Sequence, residues 1–409
     1  MTQTTFDESE ILRQPLRLPC GVVLKNRLAK SAMSDSLGDG RGNPTPAQTR
    51  LYERWAEGGA ALSIIGEVQA TPLFPEKPGN LVLGPTSDPE TFAALAARGA
   101  AGGAQIWPQL GHAGALAHAP ISRPEGPSAL AVGELRCAEM PVEAVRAVPD
   151  MIADAAGLAK QFGFGGVQIH AAHGFLLSQF LSPLFNRRED GYGGSIEARC
   201  RIVTETVERV RERVGPAFPV ALKINATDSL EGGLTEEESL EALRLLDATS
   251  LDLIDISGGT YFPGARASSD SAGGGPYYLD FAARARAVTK KPLMVTGGFK
   301  TRAQAAGAVA GGAADMVGLA RAFALDPAVA ATWLTGEDND PAFPRFATNP
   351  PGGVTAWYTM RLTALAEGRE EQFSLDLEAD LGDLEAALRD YDERDAARCE
   401  IWRGFFHAA

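Results

Sequence analysis

A chain of 409 residues with 45% apolar and 22% charged residues has the make-up of an ordinary globular protein, long enough for one large α/β unit with an appendage. A formal charge of −14 excludes a surface built to neutralise nucleic-acid phosphates. The four cysteines, at 20, 137, 200 and 399, are too scattered for a zinc ribbon or an iron–sulfur run; no 18-residue apolar span suggests a membrane helix, and a secretory leader pattern is missing, so a cytoplasmic enzyme is expected.

In chain order, Pro15 to Asn26 carries a turn signal at Pro19 to Gly21 between short apolar runs and reads as a β-hairpin, suited to plugging the bottom of a barrel. Eight strand-like runs follow: Leu28 to Met33, Ala61 to Glu67, Ala104 to Gln109, Gly166 to His170, Pro219 to Asn225, Leu251 to Ser257, Pro292 to Thr296 and Ala314 to Gly318. Between and after them lie helical stretches at Thr45 to Glu57, Pro89 to Ala101, Val142 to Phe162, Ile196 to Val214, Thr235 to Ala248, Tyr278 to Val288, Thr301 to Ala310 and Ala320 to Ala330. Asp88 before Pro89 and Thr235 before three glutamates are helix-start signals. Eight strand–helix units predict a (β/α)8 barrel over residues 1–340, with function at the C-terminal strand ends. A doubly wound open sheet is the alternative, and it needs an early Gly-rich dinucleotide turn that the chain lacks. Two long connections, Leu110 to Pro141 and Gly174 to Ser195, are expected to roof the site.

After Pro341 comes a Pro/Gly-rich linker, then a stretch from Ala356 to Gly368 that reads as an amphipathic helix. Ser374 to Phe406 is acidic, with Leu375, Leu377, Leu381, Leu384 and Leu388 at helical spacing. Residues 341–409 thus form a linker and helical extension, whose apolar stripe packs either on its own barrel or on a second copy in a homo-oligomer.

Strand four ends in His170 and His173, two of only five histidines. Two imidazoles there could donate to one developing oxyanion, bind a metal together with His112 and His118, or be buried histidines with backbone partners. The surrounding run, HAAHGFLLSQFLSPLFNRREDGYGGSIEARCR, resembles the signature of the Old Yellow Enzyme family of FMN-dependent reductases: the paired histidines, the LSP turn at 181–183, then Asn186, Arg188, Asp190, Tyr192, Gly193, Gly194, Ser195, Glu197 and Arg199. Weaker matches run from about Pro15 to about Pro327.

The resemblance implies non-covalent FMN, with NADH or NADPH as reductant sharing one flavin face, a small-molecule substrate, and no metal. It implies flavin contacts at Ser31, Ala32, Met33 and Ser34, at Val68, at Gln109 and His170, and at Lys223 where the family carries arginine. Gly297, Gly298, Ala320 and Arg321 would hold the phosphate, since glycine-rich turns entering helices offer free N–H groups. His170 and His173 would grip the substrate oxygen. Phe175 stands where the family places its proton-donating tyrosine, so hydride transfer to an enone-like alkene needs another acid, such as Tyr261 or water. Nitro or quinone reduction, and dehydrogenation or isomerisation, are the alternatives; a non-enzymatic flavin-binding barrel and a metal-dependent hydrolase or aldolase barrel rank below them.

Overall fold

Alternating inward and outward side chains on short strands require two buried surfaces, and closure of the sheet supplies both. The computed structural model describes residues 7–263, 275–346, 352–372, 378–379 and 381–407. Its eight barrel strands are β1 (Leu28–Lys30), β2 (Leu62–Gln69), β3 (Gln105–Gly111), β4 (Val167–Ala171), β5 (Val220–Asn225), β6 (Leu253–Ser257), β7 (Leu293–Thr296) and β8 (Met316–Leu319). All neighbours are parallel, and β1 pairs with both β8 and β2, so the sheet closes on itself and the open-sheet alternative falls.

Helices α1 (Pro46–Glu57), α2 (Pro89–Gly99), α3 (Val142–Gln161), α4 (Ile196–Val214), α5 (Glu236–Asp247), α6 (Leu279–Ala285), α7 (Arg302–Ala310) and α8 (Arg321–Leu325) wrap the outside. Local chemistry sets their starts. Asp88 accepts from the Glu90 N–H, and Thr235 forms a reciprocal capping box with Glu238, each cap being worth about 1 kcal/mol. The stretch read as one helix from Ala320 to Ala330 is two, because Pro327 holds Asp326 extended (φ −134°, ψ 106°) and the chain restarts as α9 (Val329–Thr335).

Inside the barrel, side chains lie in layers. The lowest is apolar: Leu62, Ile64, Trp107, Ala221, Leu253, Met294 and Met316 pack with Leu16, Leu18 and Leu24 of the N-terminal hairpin, whose Leu16–Arg17 and Val23–Leu24 strands pair antiparallel. The hairpin therefore plugs the bottom as expected. Above it the same strands turn polar, which places the chemistry at the opposite end.

The extension lies on its own barrel. Helix α10 (Gly353–Glu367) is buried on nearly every side rather than amphipathic, with Arg50 and Arg54 of α1 donating to its last carbonyls. Helix α11 (Leu381–Phe406) seats Leu384, Cys399 and Trp402 in the core, while Arg398 donates to the Ser36 carbonyl at 2.6 Å. Leu375 and Leu377 lie outside the described residues. Among the described residues, no helix is long and apolar enough to cross a membrane.

Candidate active site

The middle layer of the barrel is a hydrogen-bonded belt. Gln109 Nε2 donates to Gln168 Oε1 (2.7 Å), Gln168 Nε2 to Asp255 Oδ2 (3.1 Å), and Thr296 Oγ1 to Asp255 Oδ1 (2.7 Å). Lys223 Nζ pairs with Asp255 Oδ2 at 2.7 Å and donates to Ser31 Oγ at 3.2 Å, and Ser31 meets Thr296 at 3.0 Å. All are buried, and burial of this much polarity is tolerable only because each group is paired. Capacity is nonetheless left over. Gln109 keeps its carbonyl oxygen and one N–H, and the Lys223 ammonium keeps a third proton.

Above the belt stands a ring of polar and aromatic side chains. His170 and His173 face each other with ring centroids 5.3 Å apart at 83°. His173 has φ +60°, a costly conformation for a non-glycine residue, and is pinned there: its N–H donates to Asn225 Oδ1 (3.0 Å), and its Nε2 meets Ser257 Oγ (2.9 Å). His170 Nδ1 accepts from the Ala172 N–H (3.4 Å), so the neutral ring carries its proton on Nε2. That Nε2 is buried and has no hydrogen-bond partner. Desolvation, helped by the Lys223 charge, holds His170 down at about 3, and burial pushes His173 well below the usual imidazole range, so both stay neutral and able to donate.

Glu67, which the sequence placed at the end of strand two and offered only as an acid for a metal-dependent barrel, is a member of this ring. Strand β2 carries a bulge: Ile65 pairs with Pro108 and Val68 with Leu110, so Gly66 and Glu67 together oppose one residue of β3. Glu67 takes φ +57°, a strain of roughly 1–3 kcal/mol. Its Oε1 lies 3.3 Å from His170 Nε2. Burial raises its carboxyl to about 8, with the Lys223 charge opposing. The Val68 side chain, at the position expected beside the cofactor, is fully buried in the main apolar cluster, because the extra residue reverses the parity of the strand end. Gly66 itself is dictated by contact, since a Cβ there would sit 2.5 Å from the Met33 carbonyl carbon.

The other expected residues fall around the same mouth. Ser31 is buried in the belt, and Ala32, Met33 and Ser34 leave β1 half-buried beside Gly66. Phe175 is buried 5.0 Å from the His170 ring, and Tyr261, 61% exposed, lies tilted 5.8 Å from the Phe175 ring and edge-on 5.9 Å from the His173 ring. These two aromatics border a cavity of about 440 Å³ whose other walls include Glu76, Lys77, His118 and Arg136. At the far side, Gly297 (φ +125°) and Gly298 (φ +83°) end β7, and Arg321 follows β8 with its guanidinium 4.8 Å over the Tyr358 ring of α10. His112 is structural: its Nδ1 accepts from the Gly114 N–H, and its ring stacks on Phe74. Among the described residues, no three His, Cys, Asp or Glu side chains gather as metal ligands would. Both long connections carry order that was not anticipated, a small sheet of Glu125–Gly126, Leu130–Val132 and Leu135–Glu139 in the first and a short helix, Leu176–Leu181, in the second.

Comparisons with known proteins bear on this geometry. Residues 12–337 match the model of the NADH:flavin oxidoreductase / NADH oxidase family. The chain is 34% identical over 351 residues to the NADH-dependent flavin oxidoreductase iliE of Hypocrea jecorina (strain QM6a), covering 76% of this chain and 86% of that protein. It is 30% identical over 316 residues to the NADH oxidase of Thermoanaerobacter brockii, covering 75% of this chain and 48% of that one. Among solved structures, 2-naphthoyl-CoA reductase in complex with 2-naphthoyl-CoA aligns with a TM-score of 0.75 at 27% identity, over 80% of this chain and 53% of its own. Morphinone reductase aligns at 0.70 and 23%, over 83% and 93%, a likeness of fold. The chain thus spans about half the length of the NADH oxidase and of the naphthoyl-CoA reductase.

Proposed function

The chain belongs to the NADH:flavin oxidoreductase / NADH oxidase family, and from that premise we propose that its barrel mouth holds FMN over the polar belt and reduces an electron-poor small molecule at the expense of NADH or NADPH. The donor set fits such a cofactor. Lys223 and Gln109 retain unused hydrogen-bonding capacity toward the pyrimidine edge of a flavin, Ser34 lies at the exit of β1, and Gly297, Gly298, Ala320 and Arg321 border the mouth where a phosphate would sit. When bound, FMN supplies the two-electron carrier that no side chain offers.

What the chain's own residues contribute is orientation and charge. His170 and His173, neutral and desolvated, present N–H groups to one small volume, where a substrate oxygen gaining negative charge would be stabilised. The observation that carries this reading is the pair of buried imidazoles, ring centroids 5.3 Å apart, above the Lys223–Asp255 pair: His170 Nε2 makes no well-aligned hydrogen bond although Glu67 Oε1 lies 3.3 Å away, so an incoming oxygen would be a better acceptor for it. Phe175 removes the usual proton donor, so enone reduction requires an acid from elsewhere, while nitro and quinone acceptors, reduced at oxygen, do not require a carbon acid. Helix α10 lies against the Arg321 side of the mouth, its Tyr358 ring 4.8 Å from the Arg321 guanidinium.

The test is the visible absorption spectrum of the purified protein before and after anaerobic NADH or NADPH. A flavin band that bleaches, and returns on adding 2-cyclohexenone or a quinone, is expected. Folded protein that neither contains nor takes up FMN ends the proposal.

A further inference from the structure

Glu67 occupies a position that ordinary strand geometry would not give it. A left-handed φ is cheapest for glycine, yet the bulge places glycine at 66 and the acid at 67, and the outcome is a carboxyl turned from the outer apolar core into the mouth. There it meets the edge of His170 that carries the proton, Oε1 to Nε2 being 3.3 Å. Its Oε2 lies within 3.8 Å of where a Cβ on Gly111 would stand, so the carboxyl spans the gap between the ends of β2, β3 and β4.

Resting on the functional reading above, we propose that Glu67 is the acid of this site and that it protonates the substrate oxygen held by His170 and His173, not a substrate carbon. Any oxygen that accepts the Nε2 proton of His170 comes within reach of the same carboxyl. Phe175, on the cavity side, has no proton to give.

Charged and titratable groups face Glu67 from several elements: Lys223 on β5 and His170 on β4, with Glu76 from the connection after β2. Burial disfavours the ionised form of Glu67, and the Lys223 charge and a hydrogen bond from Gln69 oppose that only in part, leaving the acid form available near neutrality. Glu76 also lines the cavity and can return a proton from water.

For an enone, the hydride equivalent from NADH or NADPH adds to the β-carbon, the alkene pair becomes the double bond between the α-carbon and the carbonyl carbon, and the carbonyl pair shifts onto oxygen. The O–H bond of Glu67 breaks, its electrons stay on the carboxylate, and the new O–H bond makes an enol. The enol converts to the ketone in water, which supplies the α-hydrogen to either face, and a proton from water restores Glu67.

The test uses protein whose FMN content is verified by its spectrum. Infrared titration between pH 6 and 10 should show a protonated-carboxyl stretch that disappears near pH 8 and is missing in Glu67→Gln. Wild-type turnover of 2-methylcyclohexenone should fall above that pH and yield 2-methylcyclohexanone racemic at C2. Glu67→Gln should lose on the order of 100-fold in kcat together with the pH limb, and Glu67→Asp should keep the limb. A carboxylate ionised throughout, a C2-enriched product, an unchanged limb in Glu67→Gln, or no turnover by a protein that NADH bleaches overturns the proposal. Lack of FMN would instead sink the functional reading, and the infrared titration would still report on Glu67.

Discussion

Replacing Lys223 by methionine isolates the electrostatics at the floor of the mouth. The ammonium and Asp255 sit 2.7 Å apart with side chains 1% and 0% exposed, so solvent screens neither. Removing one partner of a buried pair costs about 3–5 kcal/mol, because the remaining charge has lost its counter-charge. Asp255 would still accept from Gln168 and Thr296, which places Lys223→Met at the lower end, about 3 kcal/mol. Asp255→Asn leaves the ammonium with Ser31 and should cost a similar amount. The double variant has no interior charge at this point, and its loss should fall short of the sum by about 2 kcal/mol or more. Urea unfolding followed by far-UV circular dichroism, with and without added FMN, measures all four corners. A single-variant loss below about 1 kcal/mol, or strict additivity, would show that the pair is not sealed as described and would refute the reasoning.

Further outcomes follow from the same layer. Gly66→Ala drives a Cβ into the Met33 backbone and should lower FMN content several-fold while leaving the circular dichroism spectrum intact; full retention of FMN would separate the Gly66–Met33 contact from the site. Phe175→Tyr adds a hydroxyl beside His170 and should raise turnover of cyclohexenone and enrich one C2 enantiomer from its 2-methyl derivative, and unchanged or lower turnover at equal FMN content counts against it. Glu67 and Glu76, raised from 4.5 to about 8 and about 7 chiefly by burial, bind protons more tightly when folded, so their contribution is complete below pH 4.5 and is lost as pH rises toward 8. His112 and His170, lowered to about 3 by burial, act oppositely: their contribution is present above 6.5 and is lost as pH falls toward 3. The melting temperature of wild type relative to Glu67→Gln should therefore decline between pH 5 and 8.5, and a constant difference would contradict the assignment.

Most of the barrel was legible because its signals are local. Apolar runs bounded by Gly and Pro, and caps such as Asp88 and Thr235, act within a few residues and need no tertiary partner. The His170–His173 pair was legible for the same reason. Helix α10 was not: a helix clasped between α1, α8 and α11 is buried all round, and its sequence carries no polar face to reveal its orientation. The belt was only half visible. Gln109 and Lys223 stand at strand ends, but their partners Gln168 and Asp255 are chosen by register, which aligns Gln168 with Gln109 and Lys223 with Asp255 across the sheet.

The end of β2 shows what counting along a strand misses. Leu62 and Ile64 point inward, and strict alternation would continue to Gly66 and Val68, sending Glu67 outward among the core residues Ile65, Leu81 and Leu110. A carboxyl stranded there would pay desolvation with no partner. The bulge resolves the conflict by giving Val68 to the apolar layer and Glu67 to His170, at the expense of one strained φ. The clue in the sequence is thus a Gly–Glu pair inside an otherwise apolar strand: glycine marks where the backbone can crowd Met33, and an acid at an apparent core position marks where alternation must break. Function entered through that break, because the residue that could not remain in the core is the one delivered to the mouth.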